Sequence, residues 1–360
     1  MDNILICCND ITQEMKHLGK GMFGETLYIP SMDCVIKKGN ESTLIYKHTY
    51  NVGDAIPNIN NLSSDIIKKI KVINELDHFM HIKGYAYFPN ISEGGKMFKT
   101  YLFEYIEDAK SLNNKFDEND NLRTPEIAEQ LINIMEELKQ FNMNMFYHGD
   151  IYGCNNIMID NKNKIKIIDL DDTNIIMEPN QYMKDLIGDL SKIIKCIEIF
   201  LYEKMTDSYF DEEKYKDIEN NFDFEYIARK NKMICNIFQK LMPNIKPSII
   251  NGFVINEDDI IYKDFSKNLP ETLPENEEKI KKIYADLSLL ENYKEVIKIL
   301  YDNNSIQLYL INLMSLSNLW EGINVSSKDY STTIQIAYDT MIEFYKLEFK
   351  NFFESKSKKW

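Results

Sequence analysis

The sequence is short of positive charge. Its 42 lysines and arginines are outnumbered by 57 aspartates and glutamates, which leaves a formal net charge of −15 at pH 7. Binding to nucleic acid without sequence preference needs a basic surface, and so does docking on an anionic membrane. The charge balance therefore predicts no nucleic-acid partner. The acidity favours solubility, and a basic partner surface is the alternative interpretation.

A long uncharged apolar segment is also lacking. The most apolar long stretch, 186–202, is interrupted by charged residues, namely Asp189, Lys192, Lys195 and Glu198. We therefore expect a buried helix there and no membrane span. The first ten residues do not show the basic-then-apolar pattern of a signal peptide. The expected location is the cytoplasm, or a host cytoplasm if the chain is a viral or secreted effector protein.

Cysteine pairs with metal-binding spacing are absent from the sequence. The six cysteines are Cys7, Cys8, Cys34, Cys154, Cys196 and Cys235. None forms a CxxC pair or a cluster with histidine at metal-binding spacing, so no such metal site is predicted. Scattered cysteines in a chain of this length fit a reducing compartment. With 44% hydrophobic residues, the 360-residue chain can bury the core of one large two-part fold or of two modest domains.

The segment from 147 to 171 places acidic and amide residues at informative spacings. Asp150 is followed five residues later by Asn155, and a short predicted hairpin then brings Asp169 to the end of an apolar strand. One carboxylate can orient a hydroxyl, while an amide and a second carboxylate can hold Mg²⁺ against phosphates. This layout is typical of phosphoryl transfer.

A glycine-rich turn lies near the start of the chain, between the first two of three short strands predicted in 14–38. Its glycines are Gly19, Gly21 and Gly24, and Phe23 stands near its tip. Glycine lets the backbone approach phosphate groups closely, and an aromatic tip can fold over them.

The third predicted strand, 34–38, ends in two lysines. We favour Lys37 as the residue that contacts the α- and β-phosphates, and the alternation of a strand then places Val35 on the same face. Lys38 remains the alternative, because a register shift of one residue exchanges the two faces.

Taken together, these segments resemble the protein-kinase-like superfamily over about residues 14–205. The sequence around Asp150 resembles its catalytic loop, H-[RG]-D-x-x-x-x-N, and the Asp-Leu-Asp that begins at Asp169 resembles its metal motif, D-[FL]-[GD]. The strand before Lys37 resembles the V-A-I-K strand of protein kinases, and the turn before it is the glycine-rich loop.

The resemblance implies an α+β, bilobal fold, with a small antiparallel β lobe and a helical lobe. The implied division is 1–107 for the small lobe and hinge, 108–240 for the helical lobe, and 241–360 for extra C-terminal helices. Apolar periodicity and capping signals predict the individual helices. The predicted helices are 65–80, 124–143, 184–204, 213–241, 277–302, 305–320 and 328–353, and 242–275 is expected to be loop.

The resemblance also implies ATP and Mg²⁺ as cofactors and gives each site residue a role. Asp150 is the base that orients the acceptor hydroxyl, and Asn155 and Asp169 are the Mg²⁺ ligands. The nucleotide is held by the glycine-rich loop, Val35, Lys37 and backbone groups near Glu104 and Ile106. Further implied roles belong to Glu75, which braces Lys37, to His148, which is structural, and to Asp189, which accepts backbone N–H groups of the catalytic loop.

Two departures from the protein-kinase pattern bear on the substrate. Gly149 stands where protein kinases usually carry an arginine that answers a phosphorylated activation loop, so activity is expected without prior phosphorylation. The activation segment is short, with 20 positions from Asp169 to Asp189 and no Ala-Pro-Glu signature. Small-molecule kinases of the aminoglycoside and choline type share His-Gly-Asp and Asp-x-Asp.

Three functional hypotheses follow. The first is a divergent protein Ser/Thr kinase of viral or bacterial-effector type, acting on a protein substrate. The second is a small-molecule kinase, and the third is a pseudokinase or scaffold. The presence of Lys37, Asp150, Asn155 and Asp169 speaks against the third.

Overall fold

A computed structural model of the chain divides it into two compact units. The first combines Met1–Lys115 with Asn155–Ile175, and the second combines Phe116–Cys154 with Ile176–Trp360. The structure describes residues 5–7, 15–21, 24–39, 50–51, 64–88, 96–112, 122–151, 156–170, 173–177, 179–201, 226, 229–230, 233, 236–237, 240, 247–250, 253–256 and 330–357.

Strands and helices are both present, so the fold class is α+β. In chain order the strands are β1 (Leu5–Cys7), β2 (Lys16–Gly21), β3 (Gly24–Ile29), β4 (Cys34–Gly39), β5 (Tyr50–Asn51), β6 (Ile82–Phe88), β7 (Lys96–Glu104), β8 (Lys110–Ser111), β9 (Phe146–Tyr147), β10 (Ile157–Ile159), β11 (Ile165–Ile167), β12 (Asn174–Ile175), β13 (Pro247–Ile250) and β14 (Phe253–Asn256). The α-helices are α1 (Ser64–Asn74), α2 (Pro125–Met143), α3 (Pro179–Leu201) and α4 (Tyr330–Ser357).

The first unit is built on a sheet with the strand order β1-β6-β7-β4-β3-β2, and β5 pairs with β7. The three strands predicted in 14–38 are confirmed as β2, β3 and β4, joined by antiparallel pairing. The sheet is not purely antiparallel as expected, because β1 runs parallel to β6. A parallel pair needs a long connection between its strands, and local sequence patterns do not show it.

The core of this sheet is apolar and tightly enclosed. Its fully buried members come from β3, β4, β6 and β7, and they are Ile29, Cys34, Ile36, Ala86 and Leu102. The turn between β3 and β4 is a short 3-10 helix, Pro30–Met32, closed by a hydrogen bond from the N–H of Asp33 to the carbonyl of Pro30. Proline sets the backbone angle of such a turn in advance.

Helix α1 ends earlier than the periodicity predicted, at Asn74 rather than near residue 80. The Asn74 side chain donates to the carbonyl of Ile82 at 2.8 Å and accepts from its N–H at 2.7 Å. These bonds tie the end of the helix to the start of β6. Local hydrogen bonding by asparagine thus competes with continuation of the helix.

The hairpin β10–β11 also belongs to the first unit and carries Asp169 just beyond its second strand. Ile157, Ile159, Ile165 and Ile167 are buried, which gives each strand its core face. The Asp160 carboxylate closes the turn by accepting the N–H groups of Lys162 and Lys164, each at 2.8 Å. β8 pairs with β10 on its other side.

The second unit packs α2, α3 and α4 against one another. The predicted start of α2 is confirmed, since Thr124 caps the helix and Pro125 opens it. Helix α3 begins at Pro179 rather than at 184, because proline fits the first turn of a helix. Helix α4 confirms the predicted 328–353 segment, and helical residues lie between 226 and 240. The helices predicted at 277–302 and 305–320 lie outside the described residues.

The expected loop at 242–275 is wrong in one part, since β13 and β14 form an antiparallel hairpin there. Pro247 occupies the first position of β13, where a strand tolerates proline.

Of the helices in the described ranges, none has the length and apolarity that crossing a membrane requires. Cys34 is a buried cysteine, and Cys196 takes part in a disulfide. The expectation of a reducing compartment therefore gains no support from these two cysteines.

Candidate nucleotide site and catalytic loop

A cavity of about 370 Å³ lies in the first unit. Its lining comes from β2, β3, β4, the segment before β6, the end of β7 and the residues after it, β10, and the residue that follows β11. The lining residues are Leu18, Gly19, Thr26, Val35, Met80, Glu104, Tyr105, Ile106, Asp108, Ala109, Met158 and Ile168. A mostly apolar cavity of this size with a few polar groups is typical of a small-molecule or cofactor site.

Several residues predicted to contact a nucleotide line this cavity, namely Gly19, Val35, Glu104 and Ile106. Gly21 and Gly24 face each other at the end of the β2–β3 hairpin. Phe23, predicted at the tip of the same hairpin, lies outside the described residues. The structure thus brings the glycine-rich hairpin and the strand that contains Val35 to one cavity.

The hinge segment, residues 104–106, has one backbone donor already in use. The N–H of Glu104 donates to the carbonyl of His81 at 2.9 Å. Its carboxylate accepts from the backbone N–H of His81 at 2.9 Å and from the Lys166 ammonium at 2.8 Å. The backbone groups available to a purine ring are therefore those beyond that N–H, around Tyr105 and Ile106, within the range predicted.

These contacts lower the pKa of Glu104. Burial by itself would raise the pKa of this carboxyl group, but the hydrogen bonds from Lys166 and from the backbone of His81 outweigh it. Glu104 thus serves as an anchor that joins the hinge to the start of β6 and to β11.

Lys37 and Asp169 do not line the cavity themselves, but each lies next to a residue that does, Lys37 opposite Thr26 in the β3–β4 pair and Asp169 directly after Ile168. The ammonium of Lys37, on β4, forms an ion pair with the carboxylate of Asp169, which follows β11. The two side chains are 19% and 24% exposed, so a ligand can reach them. Asp169 has a φ of +63°, in the left-handed region that few residues other than glycine adopt, so its carboxylate is presented from a constrained backbone. Of the two lysines left open by the sequence, Lys37 is the one that reaches Asp169.

Glu75, predicted to brace Lys37, is not brought to it. Glu75 is exposed in the turn after α1, and among the described residues no ion pair joins the two side chains. The helix ends before Glu75 because Asn74 is tied to Ile82. The structure therefore does not support the bracing role.

The buried polar side chain on α1 is instead Lys69. It is 5% exposed, its ammonium lies 4.6 Å from the centre of the Tyr101 ring, and it donates to the carbonyl of Thr173 at 3.2 Å. The hydroxyl of Thr173 donates in turn to the carbonyl of Leu170, directly after Asp169, at 2.8 Å. A lysine, rather than a glutamate, connects α1 to the segment that follows the predicted metal ligand.

The second unit contains the start of the candidate catalytic loop, defined as residues 148–155. Asp150 has an exposed side chain, as a group that meets an acceptor must. His148 is 4% exposed, and its Nδ1 accepts from the N–H of Asp150 at 3.2 Å. This agrees with the structural role implied for the histidine.

Asp189 is confirmed as the buried carboxylate that holds this loop. It lies on α3, is 1% exposed, and accepts the N–H of His148 at 2.7 Å and that of Gly149 at 2.9 Å. Gly149 has a φ of +81°, and a Cβ there would stand 3.2 Å from the Tyr147 ring. The backbone conformation itself therefore favours glycine at this position.

The oxygen ligands predicted for Mg²⁺ are only partly described. Asp169 supplies an accessible carboxylate, which is a ligand that magnesium prefers. Asn155 lies outside the described residues, as does Asp171. Among the residues that the structure describes, no group of three or more His, Cys, Asp or Glu side chains could hold a metal ion. The donor chemistry fits an ion that shares its coordination with phosphate oxygens and water.

Sequence reasoning missed several contributors to these sites. Met158 stands between the buried Ile157 and Ile159, so strand alternation could have placed it on the opposite face of β10. Ile168 follows the buried Ile167, so the same alternation places it on the opposite face, directly before Asp169. Lys69 gave no signal, because a lysine on an amphipathic helix is ordinarily solvated.

No protein-family profile matches this sequence, and no curated protein is similar enough to count as a match.

Proposed function

We propose that the chain adopts the bilobal protein-kinase-like fold and is an ATP- and Mg²⁺-dependent phosphotransferase that moves the γ-phosphate of ATP to a hydroxyl group. One observation carries the proposal. The cavity lined by the glycine-rich hairpin, Val35 and the hinge lies in the same unit as the ion pair between Lys37 and Asp169. The residues that the sequence assigned to ATP and Mg²⁺ come from distant parts of the chain, and they lie in one compact unit.

The first unit supplies groups suited to each part of ATP. Apolar side chains such as Leu18, Val35 and Ile168 suit the faces of a purine ring. Backbone groups near Ile106 suit its hydrogen-bonding edge. Lys37 would contact the phosphates, and Asp169 with Asn155 would hold the Mg²⁺, which neutralises phosphate charge when bound.

The second unit supplies the group that meets the acceptor. Asp150 follows two backbone N–H groups that are fixed by a buried carboxylate, so its exposed side chain starts from a defined position. Its carboxylate would accept the proton of the attacking hydroxyl. His148 is buried and already bonded to the backbone of Asp150, which leaves it a supporting role.

A protein Ser/Thr substrate is the first candidate acceptor. It is favoured by the paired glycines of the hairpin β2–β3 and by the Cys-Val-Ile-Lys sequence at the start of β4, which resemble the glycine-rich loop and the lysine strand of protein kinases.

A small-molecule acceptor is the second candidate, and one observation favours it. Helix α3 already begins at Pro179, so the segment between Asp169 and this helix is shorter than the sequence indicated. Ordinary protein kinases dock peptide substrates on that segment. A small hydroxylated metabolite does not need it.

The test incubates the full chain with labelled ATP and Mg²⁺, once with a mixed protein extract and once with a metabolite pool. Label on protein bands supports the first acceptor class, and turnover only with metabolites supports the second. Asp169→Ala should abolish transfer in either case. Asp65→Ala, which removes an exposed acid at the start of α1, is the matched control and should leave transfer unchanged.

Two results would contradict the proposal. A chain with no transfer and no thermal shift at millimolar Mg-ATP would be a scaffold rather than an enzyme. Phosphate transfer that persists in Asp169→Ala would refute the assignment of Asp169 as a Mg²⁺ ligand. Activity is further expected without prior phosphorylation, so treatment with a phosphatase should not reduce it.

A further inference from the structure

Helix α4 reaches the carboxylate that holds the candidate catalytic loop. Asn142, near the end of α2, donates from Nδ2 to Asp189 at 3.3 Å and to the carbonyl of Phe146 at 2.9 Å. Its Oδ1 accepts a hydrogen bond from the hydroxyl of Tyr338, on α4. A series of hydrogen bonds thus runs from Tyr338 through Asn142 and Asp189 to the loop.

This series is sealed from solvent. Tyr338 and Asn142 have no exposed surface, and Asp189 is 1% exposed. In such surroundings an unsatisfied polar group is costly, and each bond orients the next. The pKa of Tyr338 is raised well above its ordinary value, first by burial and then by the nearby charge of Asp189. The phenol therefore stays protonated and keeps its donor role.

The chemistry of an amide explains why the tyrosine matters. The two Nδ2 hydrogens of Asn142 serve Phe146 and Asp189, so the amide must present Oδ1 to the opposite side. The Tyr338 hydroxyl occupies that side as a donor. It thereby fixes the orientation of the amide, and with it one of the three N–H donors that hold the Asp189 carboxylate.

We infer that Tyr338 of the C-terminal helix α4 is a positioning residue for the catalytic loop, acting through Asn142 and Asp189. The inference rests on the proposed function for its effect on turnover, but its structural part can be tested without it. It gives the helix at 330–357 a role in the reaction, since the loop that carries Asp150 depends on a hydroxyl from this helix.

Tyr338→Phe is the variant to make, because it keeps the ring and removes only the hydroxyl. Tyr345→Phe is a matched control. Tyr345 lies on the same helix, is equally buried, and has its hydroxyl 3.1 Å from that of Tyr226 and 3.5 Å from a carboxylate oxygen of Glu198 on α3. The two variants lose comparable buried hydroxyls in one helix, and they differ in what those hydroxyls hold.

The first measurement is hydrogen exchange of the backbone amides of His148 and Gly149. In Tyr338→Phe we expect both to exchange about tenfold faster, since the carboxylate that accepts them is less well fixed. In Tyr345→Phe they should exchange as in the wild type. Equal exchange in the two variants, or a uniform loss of protection across α2, α3 and α4 in Tyr338→Phe, would overturn the inference.

The second measurement is label transfer to the acceptor pool found active with the wild type. Tyr338→Phe should lower the rate at saturating ATP by about tenfold. The ATP concentration for half-maximal rate should not change, because the cavity that would bind ATP lies in the first unit. Loss of ATP affinity with an unchanged maximal rate would contradict a role at the loop.

A double-variant experiment shows whether Tyr338 acts on the loop through Asn142 or independently of it. In an Asn142→Leu background, Tyr338→Phe should change neither amide exchange nor rate further, because the bond it removes is already absent. Additive effects would overturn the inference. A wild-type chain without any transfer activity would refute the proposed function alone, and amide exchange would still decide the role of Tyr338.

Discussion

The two units hold their candidate functional groups in different ways. In the first unit, Lys37 and Asp169 are partly exposed and form an ion pair with each other. In the second unit, the loop before Asp150 is held by Asp189, a carboxylate with almost no exposed surface. The difference indicates that a ligand can rearrange the first set of groups, whereas the second set is fixed before any ligand arrives.

The two kinds of contact also differ in energy. An ion pair near the surface contributes up to about 1 kcal/mol, and salt weakens it. A buried donor or acceptor that loses its partner costs roughly 1–3 kcal/mol. Substitutions in the first unit should therefore change ligand binding more than folding. Substitutions around Asp189 should change both the reaction rate and the stability of the fold.

The largest expected effect separates turnover from nucleotide binding. Asp150→Ala should lower the transfer rate by roughly 10²–10⁴-fold, the range typical of a lost general base. ATP affinity, measured by calorimetry, should stay unchanged because the cavity lies in the other unit. Glu129→Ala, which removes an exposed acid from α2, is the control for the rate. A large loss of ATP affinity in Asp150→Ala would refute the role assigned to this residue.

The next effect should appear in nucleotide binding instead. Lys69→Met keeps the length of the side chain but leaves the carbonyl of Thr173 without this buried donor. The segment after Asp169 should loosen, and the dissociation constant of Mg-ATP should rise by roughly tenfold.

The control for that measurement is Lys71→Met on the exposed face of the same helix. Equal dissociation constants for the two variants would show that Lys69 does not support the metal-binding segment.

A smaller effect on stability distinguishes two glycines of the second unit. Gly149→Ala should destabilise the fold by about 1–2 kcal/mol, because alanine is strained at a φ of +81°. Gly188→Ala should stabilise it by roughly 0.5–1 kcal/mol, since that glycine lies inside α3 with open space at its Cβ. Unfolding in denaturant measures both changes in stability. If the two variants were both stabilised or both destabilised, the explanation from backbone conformation would be contradicted.

The smallest expected effect is a pH dependence in the first unit. The pKa of Glu104 is lower in the folded state than in the unfolded state. The stabilisation of the fold by its carboxylate is therefore fully present above the unfolded-state pKa of about 4.3. It is lost as the pH falls through the folded-state pKa. The free energy of unfolding of the wild type should exceed that of Glu104→Gln by less than about 1 kcal/mol at pH 7.

Thermal unfolding at several pH values measures this difference, which should vanish near pH 3. The exposed Glu107 provides the control variant, Glu107→Gln. A difference between wild type and Glu104→Gln that grows on acidification would contradict the assignment of the hydrogen bonds.

Local signals predicted much of the fold. The hairpin β2–β3 and the start of α2 at Thr124 both depend on residues that are close in sequence. The end of α1 and the parallel strand β1 depend on partners far along the chain, and both were missed. The start of α3 differs from the prediction for another reason, since proline both interrupts helices and opens them, and the sequence alone does not distinguish the two at Pro179.

The sequence by itself determined the chemistry that is present, because carboxylates, amides, glycines and lysines at short spacings are readable without a fold. The resemblance to the protein-kinase-like superfamily further implied that Asp189 would hold the loop, and the structure bears this out. Only the tertiary structure decided which groups meet. Lys37 and Asp169 are 132 positions apart, and Tyr338 and Asn142 are 196 apart. Contacts over such distances follow from how strands and helices pack, which no local pattern encodes, and buried polar bonds of this kind form only where packing excludes water.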